Sequence, residues 1–523
     1  MQFRKATKTA LQLFLVTALT KLIGFVREMA LGARFGTGVK TDSLQLALMF
    51  PNVLFVTILA AFSTSFIPFY TEIKENKGEE EGLKFTNNVI NTLMFFAIIV
   101  SILGTIFSKE LLYFFTKNII AKDYSNDLII FASTILKITF FMIIFTSSSN
   151  ILQGFMQANG NFNKPVLSSI PFNLGIFLTI FLSYFSIFKR IDIYLVGFGF
   201  VFGYFLSFVY QYYNAKKLGF RFYPTFSFRD ENLKKVVIFA APVFISSAMS
   251  QLYVFVDRYL LGSLGEGRIS AVNFASKFND MIVGAFSSTI AIIAFSTLSN
   301  YLAKKDMDNF KRFFVSSVNV IILLMIPFSI GGMILNHELV RIVYERGHFT
   351  RHSTLMTAGP FFFYSFGFLG LGLRDILNRT LYSLHDSKTA VRNGVIAIIL
   401  NITFDIIFIN RFGHIGAAMG FSFANYIATF LLMFSLRKKL GPIGWRRIVN
   451  VFIKSVLAGI IMGIVIYIFK FNFINLDMRF SKITLITLIC ILLGASVYSF
   501  IIYLFRVEEA RWLIKITREK FGI

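Results

Sequence analysis

The residues most able to do chemistry in this chain are charged groups set in long apolar runs. Lys21, Arg27, Glu28 and Arg34 interrupt the first run, Asp42 opens the second, and Pro51-Asn52 breaks its middle. Asp257 and Arg258 recur in a seventh run, and Lys277 and Asp280, three residues apart, share a face of an eighth. An ionisable side chain at bilayer depth costs roughly 3 kcal/mol or more and usually faces a cavity or a partner. Four cations (Lys21, Arg27, Arg258, Lys277) and three anions (Glu28, Asp257, Asp280) point to a watery, basic cavity. Guanidinium forks there would clasp a phosphate bidentately. The alternative is structural: Arg27–Asp257 or Glu28–Arg258 as interhelical ion pairs. Lys137, Arg374, Asp375 and Arg379 either line the same cavity or reach the ends of long helices, and Arg34 is expected to snorkel to the interface. Asn401 and Asp405 lie one turn apart, so a carboxylate and an amide oxygen share a face. They are the candidate ligands for a Na⁺ ion; an internally hydrogen-bonded polar pair is the alternative.

Other chemistry lacks support. The five histidines (His337, His348, His352, His385, His414) show no HExxH or paired-ligand spacing, and the glycine turns lack the Lys-Ser/Thr of a phosphate-gripping loop. No G-x-S-x-G elbow occurs. The one enzyme-like cluster, Glu338, Arg341, Glu345, Arg346, His348 and His352, reads better as a solvated loop. The expectation is a transporter, not an enzyme, with no cofactor beyond the candidate Na⁺. Cys490 is the lone cysteine, which excludes a disulfide framework or an iron–sulfur centre.

The elements that must position these groups follow from composition. Of 523 residues, 56% are hydrophobic and 15% charged, against about 45–50% and 25% in soluble domains. The apolar runs are continuous and near the ~20 residues a spanning helix needs, so helices rather than barrel strands are expected. Charge and turn breaks place fourteen spans near 9–35, 41–73, 85–107, 126–157, 164–188, 191–215, 236–262, 268–302, 311–334, 353–384, 390–410, 415–436, 448–469 and 483–505. Pro51, Pro68, Pro171, Pro242, Pro327 and Pro360 fall in or beside spans, where each can break or bend a helix and free backbone groups.

An internal repeat organises the spans. Val26-Arg27-Glu28-Met29-Ala30-Leu31-Gly32 resembles Val256-Asp257-Arg258-Tyr259-Leu260-Leu261-Gly262, and each precedes a glycine turn, Gly36-Thr37-Gly38 and Gly265-Glu266-Gly267. Ile151-Leu152-Gln153 and Ile376-Leu377-Asn378 repeat at a similar offset. The reading is an all-α polytopic membrane protein: two pseudo-symmetric six-helix bundles (1–217 and 218–440), then two extra C-terminal helices and a cytoplasmic tail (441–523). Parallel repeats of this kind mark transporters, with the substrate expected between the halves. Of 52 Lys and Arg, 29 fall on the side shared by both termini and 14 on the other, so both termini are expected in the cytoplasm. The net charge of +25 is then a topology signal plus attraction to anionic membrane lipids, not a nucleic-acid surface.

Gly24-Phe25-Val26-Arg27-Glu28, Phe35-Gly36-Thr37-Gly38, Thr41-Asp42 and Phe50-Pro51-Asn52 together resemble the MurJ/MviN family of lipid II flippases, within the multidrug/oligosaccharidyl-lipid/polysaccharide exporter superfamily. The resemblance implies transfer of undecaprenyl-diphosphate-linked disaccharide pentapeptide from the inner to the outer leaflet of the cytoplasmic membrane by alternating access, in peptidoglycan biosynthesis. It also implies a lipid-tail groove between spans 13 and 14. The chain is expected to act as a monomer. Carried over by position, Arg27 matches an essential first-span arginine, Glu28 its acidic neighbour, and Asp42 and Pro51 a second-span pair. Lys21 stands where members often have arginine, Phe55 stands where they often carry an arginine, and Lys277 and Asp280 stand where they carry Arg and Glu. The competing reading is a cation-coupled multidrug or other lipid-linked oligosaccharide exporter of the same superfamily. A drug exporter would show twelve spans and a smaller, acidic or aromatic pocket. Without an ATPase motif, the drive is membrane potential, worth about 2.3 kcal/mol per charge per 100 mV, or ion coupling.

Overall fold

A computed structural model describes residues 2–116, 122–474 and 478–509. The expected cytoplasmic tail past Glu509 therefore lies outside the described residues. The chain divides into two compact units, Met1–Ser270 and Ala271–Ile523.

In the first unit α1 (Gln2–Phe35) and α2 (Val39–Pro51) lead into a π-helical segment, Asn52–Val56, and then α3 (Thr57–Lys77). There follow α4 (Glu79–Ile106), α5 (Ser108–Thr116), α6 (Lys122–Thr139), α7 (Met142–Ala158), α8 (Asn163–Leu167), α9 (Ser169–Leu182), α10 (Asp192–Lys217) and α11 (Glu231–Gly262). The helix α12 (Arg268–Ala303) starts in this unit and runs into the second. The second unit continues with α13 (Met307–Ile334), α14 (Asn336–Tyr344), α15 (Arg351–Ser383), α16 (Ser387–Phe412), α17 (Ile415–Leu440), α18 (Trp445–Phe473) and α19 (Phe480–Leu504). Among the described residues the secondary structure is helical, and each of the fourteen apolar segments coincides with a helix or consecutive helices. Among the described residues nine helices are long and apolar enough to cross a membrane, or ten if the pair Asn126–Thr139 and Met142–Ala158, bent by 43°, is one span.

Helix ends follow local chemistry. Asp306, Thr350 and Asp386 cap α13, α15 and α16 by accepting from the backbone N–H three residues on. Glu79, Glu80 and Glu81 fill the first turn of α4, and Arg437, Lys438 and Lys439 the last turn of α17, each sign matching the helix dipole.

The prolines differ in whether the helix continues through them. At Pro51 the regular helix does end, and the wider π-helical segment carries the chain into α3. Pro68, Pro327 and Pro360 instead lie inside continuous helices, as does Pro242 in α11. Pro171 is the third residue of α9, where its missing N–H costs nothing. One lost hydrogen bond does not end a helix whose flanks are long and packed.

Small residues set the close contacts, as expected where burial from water cannot drive helix association. Gly199 and Gly203 form a GxxxG pair on α10 against α9. A Cβ on Gly203 would lie 2.5 Å from the Phe172 carbonyl oxygen, and one on Gly175 would lie 2.8 Å from Gly203 Cα. In the second unit Gly459 and Gly463 seat α18 on Ile326, Ile330 and Ile334 of α13, and Gly494 seats α19 on Ile466.

Candidate functional site

The Arg27–Glu28 pair sits on α1, which packs against α9. Arg27 donates from its terminal nitrogen to Glu28 Oε1, its sequence neighbour. The ion pair is thus within one helix rather than with Asp257. Its guanidinium carbon lies over two rings, 5.8 Å from the Phe172 centroid and 5.6 Å from that of Phe200. Arg27 Nε is buried and has no hydrogen-bond partner among the described residues. Only 14% of the Arg27 side chain and 5% of Glu28 is exposed. Lys21, two turns earlier, is exposed.

The two glycine turns of the repeat meet. Asp42, fully buried, accepts from Gly267 N at 2.6 Å and Ser270 N at 2.7 Å, capping the start of α12. In return Glu266 Oε1 accepts from Val39 N at 3.1 Å, at the start of α2. Each repeat therefore caps a helix of the other, with an anion at each positive helix end. Gly36, Gly265 and Gly267 have φ of 63°, 98° and 79°, in the left-handed region that favours glycine. Asp42, matched by position to the family's second-span pair, has both oxygens engaged by backbone.

Arg258 also pairs with its sequence neighbour, at 3.9 Å from Asp257, and donates to Ile269 O at 3.3 Å. Arg34, in the last turn of α1, donates to the Ser183 hydroxyl at 3.0 Å and carbonyl at 2.8 Å, and lies 3.3 Å from Asp192. Asp192 also receives Lys40 at 2.7 Å, so two cations converge on one buried carboxylate. That cluster joins α1, α2 and α10, and its local sequence signal was only an acid in a Lys-Arg-rich loop.

In the second unit Lys277 and Asp280 pair at 3.5 Å, with 28% and 56% of their side chains exposed. Asp405 and Asn401 share the buried face of α16. Asp405 packs on Gly420, where a Cβ would come 2.2 Å from its Oδ1. Asn401 Oδ1 is buried without a hydrogen-bond partner among the described residues. No group of three or more His, Cys, Asp or Glu able to hold a metal occurs among the described residues. An amide and one carboxylate, both hard oxygen donors, suit an alkali cation better than a transition metal.

Sequence reasoning missed Phe172 and Phe200, indistinguishable among 67 phenylalanines. It also missed Glu266, whose signal was its place in the repeated turn.

The sequence profile of a family described as "Lipid II flippase MurJ" matches residues 31–489. A "Probable lipid II flippase MurJ" of Rickettsia prowazekii is 27% identical, covering 96% of this chain and 98% of that protein. One of Thermotoga maritima is 26% identical, covering 97% and 98%. Among solved structures, "Lipid II flippase MurJ, inward closed conformation" aligns with a TM-score of 0.77 at 26% identity, over 93% of this chain and 98% of that one. An inward-facing multidrug transporter of the MATE family shares the fold alone, with a TM-score of 0.67 at 9% identity over 83% of this chain and 98% of that one.

Proposed function

The chain belongs to the MurJ family of lipid II flippases, and from that premise we propose that Arg27 is the first-unit cation that receives the diphosphate of lipid II. The observation carrying this reading is the state of Arg27: largely buried, set over two rings, paired with one carboxylate in cis and holding a buried Nε donor without a partner among the described residues. A diphosphate oxygen can take that donor and compete with Glu28 for the fork, a charge-assisted contact stronger than a neutral one. Arg258, Lys21 and Lys277 add positive charge along the headgroup's path, with Asp257 and Asp280 as their resting counter-ions. Asp42 and Pro51 act indirectly: Asp42 holds the start of α12, and Pro51 sets the π-helical break through which α2 joins α3.

The protein is a multi-pass membrane protein that moves lipid II across the bacterial inner membrane. In our reading it crosses fourteen times as 6 + 6 + 2, with both termini cytoplasmic, and works as a monomer by alternating access without chemical transformation of its cargo. Helices over all fourteen apolar segments support that count. The reciprocal caps Asp42–α12 and Glu266–α2 support a latch that two-state switching would make and break. The polyprenyl tail stays in lipid and tracks the α18–α19 pair. Asp405 and Asn401 would hold a Na⁺ that couples the cycle to an ion gradient; the oxygen donor set and the open Asn401 Oδ1 fit such an ion.

Depletion rescue tests the function. In a bacterium depleted of its own flippase, this chain should restore growth and outer-leaflet lipid II. Arg27→Ala or Arg258→Ala, present in the membrane at wild-type amounts, should not. Full rescue by both variants would overturn the proposed cation roles, and failure of the well-expressed wild type would overturn the function.

A further inference from the structure

Arg27 does not stand alone on α1; it is built into an aromatic recess made by two other helices. Phe172 is contributed by α9 and Phe200 by α10, and each ring centroid is within 6 Å of the guanidinium carbon. The two rings stack edge-to-face on each other, with centroids 6.2 Å apart and planes at 70°. Tyr204, one turn after Phe200, backs Phe172 with its centroid 4.5 Å away.

Sequence explains why the rings converge. Phe200 lies within the Gly199–Gly203 pair, so the contact that brings α10 against α9 also presents this ring beside Phe172. A Cβ on Gly203 would strike the Phe172 carbonyl oxygen at 2.5 Å and its ring Cδ2 at 3.1 Å. The glycine pair therefore sets the position of both rings. Asn173, next to Phe172, closes the recess towards α1: its amide lies 3.7 Å from where a Cβ on Gly24 would stand.

A ring attracts a guanidinium through its quadrupole and uses none of its N–H donors. Glu28 uses one donor, and Nε is open. The rings thus hold the cation in place without consuming its N–H donors. Without them, a long, rotamer-rich side chain would have to be ordered at the moment of binding, at an entropic cost.

We propose that Phe172 and Phe200, backed by Tyr204, are positioning residues that preorganise the Arg27 guanidinium for the phosphate oxyanions of the substrate. This inference rests on the reading of Arg27 given above and extends it to residues that never touch the phosphate themselves.

The test exploits the electronic origin of the contact. Purified protein in nanodiscs carries mono-, di- or trifluorinated phenylalanine at position 200, and separately at 172. Fluorination drains the ring quadrupole with little change in shape or apolar character, so a ring that only fills space is insensitive to it. Lipid II affinity should weaken stepwise with fluorine number, reaching about three- to tenfold for the trifluoro ring. Phe200→Trp, the stronger cation-binding ring, should retain wild-type affinity. An Arg27→Ala background separates the two levels of the argument. There the fluorine series should be flat, because no cation remains to feel it. Affinity that is unchanged across the series in the Arg27 protein, while Arg27→Ala abolishes binding, would overturn the positioning role and leave the phosphate role standing. Wild-type affinity in Arg27→Ala would overturn both. Thermal melts of every variant confirm that the compared proteins are folded.

Discussion

Replacing glycine with alanine at two helical positions should produce effects of opposite sign. At Gly203 the added Cβ would sit 2.5 Å from a backbone oxygen of α9, where ordinary contact begins near 3.4 Å. A backbone atom cannot rotate away, so the helices must part by close to the difference, about 1 Å. Overpacking of this kind costs about 1–3 kcal/mol. At Gly331, inside α13, nothing lies within 4 Å of the added Cβ. There alanine lowers only the backbone entropy of the unfolded chain and favours helix by about 0.5–1 kcal/mol. The two variants should therefore differ by about 1.5–4 kcal/mol. At roughly 2–4 °C per kcal/mol for a unit of this size, their melting temperatures should be separated by at least about 3 °C, with wild type between. Fluorescence-detected size exclusion after graded heating measures this. Gly203→Ala should in addition weaken lipid II binding, because it displaces Phe172, whereas Gly331→Ala should leave binding unchanged. Equal melting temperatures, or a more stable Gly203→Ala, would refute the argument that this glycine pair sets the α9–α10 spacing.

Three further outcomes are expected. Asp42→Asn replaces a two-oxygen acceptor by one oxygen and a donor facing a backbone N–H, and should lower stability by about 1–3 kcal/mol. Glu266→Gln, at the more exposed cap, should cost less, and the reverse order would contradict the capping account. His337, in the short helix α14 outside the spans, has its imidazole pushed below the usual range by burial first; Lys470 and Arg341 act in the same direction, and Glu338 and Glu345 oppose it. A group whose folded pKa is depressed stabilises fully above its unfolded value, near 6.5 for histidine, and loses that contribution as pH falls through the folded one. Melting temperature should thus drop between pH 7.5 and 5.5, and His337→Gln should remove part of that slope; an unaltered slope would clear His337. Na⁺ should raise the melting temperature of the wild type relative to K⁺ at equal ionic strength, and Asp405→Asn should abolish the increment; persistence of the increment would exclude Asp405 as a ligand.

The parts of this molecule legible in its sequence are those where a local rule has few exceptions. Long apolar runs fold as helices because backbone polar groups in lipid must pair within their own segment. Arg27 and Glu28 attract notice because charges at that depth are costly, and the repeat of 26–32 at 256–262 announces a helix, glycine turn and helix in both places. The rest depends on contacts that local patterns do not encode. Asp42 finds its partners 225 and 228 residues away. Arg34 finds Ser183 and Asp192 as partners 149 and 158 residues away. Prolines at 68, 327 and 360 look like breaks until the packing of their flanks is known. In a chain this rich in phenylalanine, the recess around Arg27 emerges only once the α9–α10 glycine contact is seen.

The central claim is that a buried arginine on α1 engages the phosphate groups of the cargo. Its most direct test is transport itself, in proteoliposomes carrying fluorescent lipid II and an impermeant quencher. Wild-type protein should expose inner-leaflet lipid II to the quencher, Arg27→Lys should do so more slowly because it keeps the charge and loses the bidentate fork, and Arg27→Ala should match protein-free vesicles. Transport by Arg27→Ala at the wild-type rate would contradict the account.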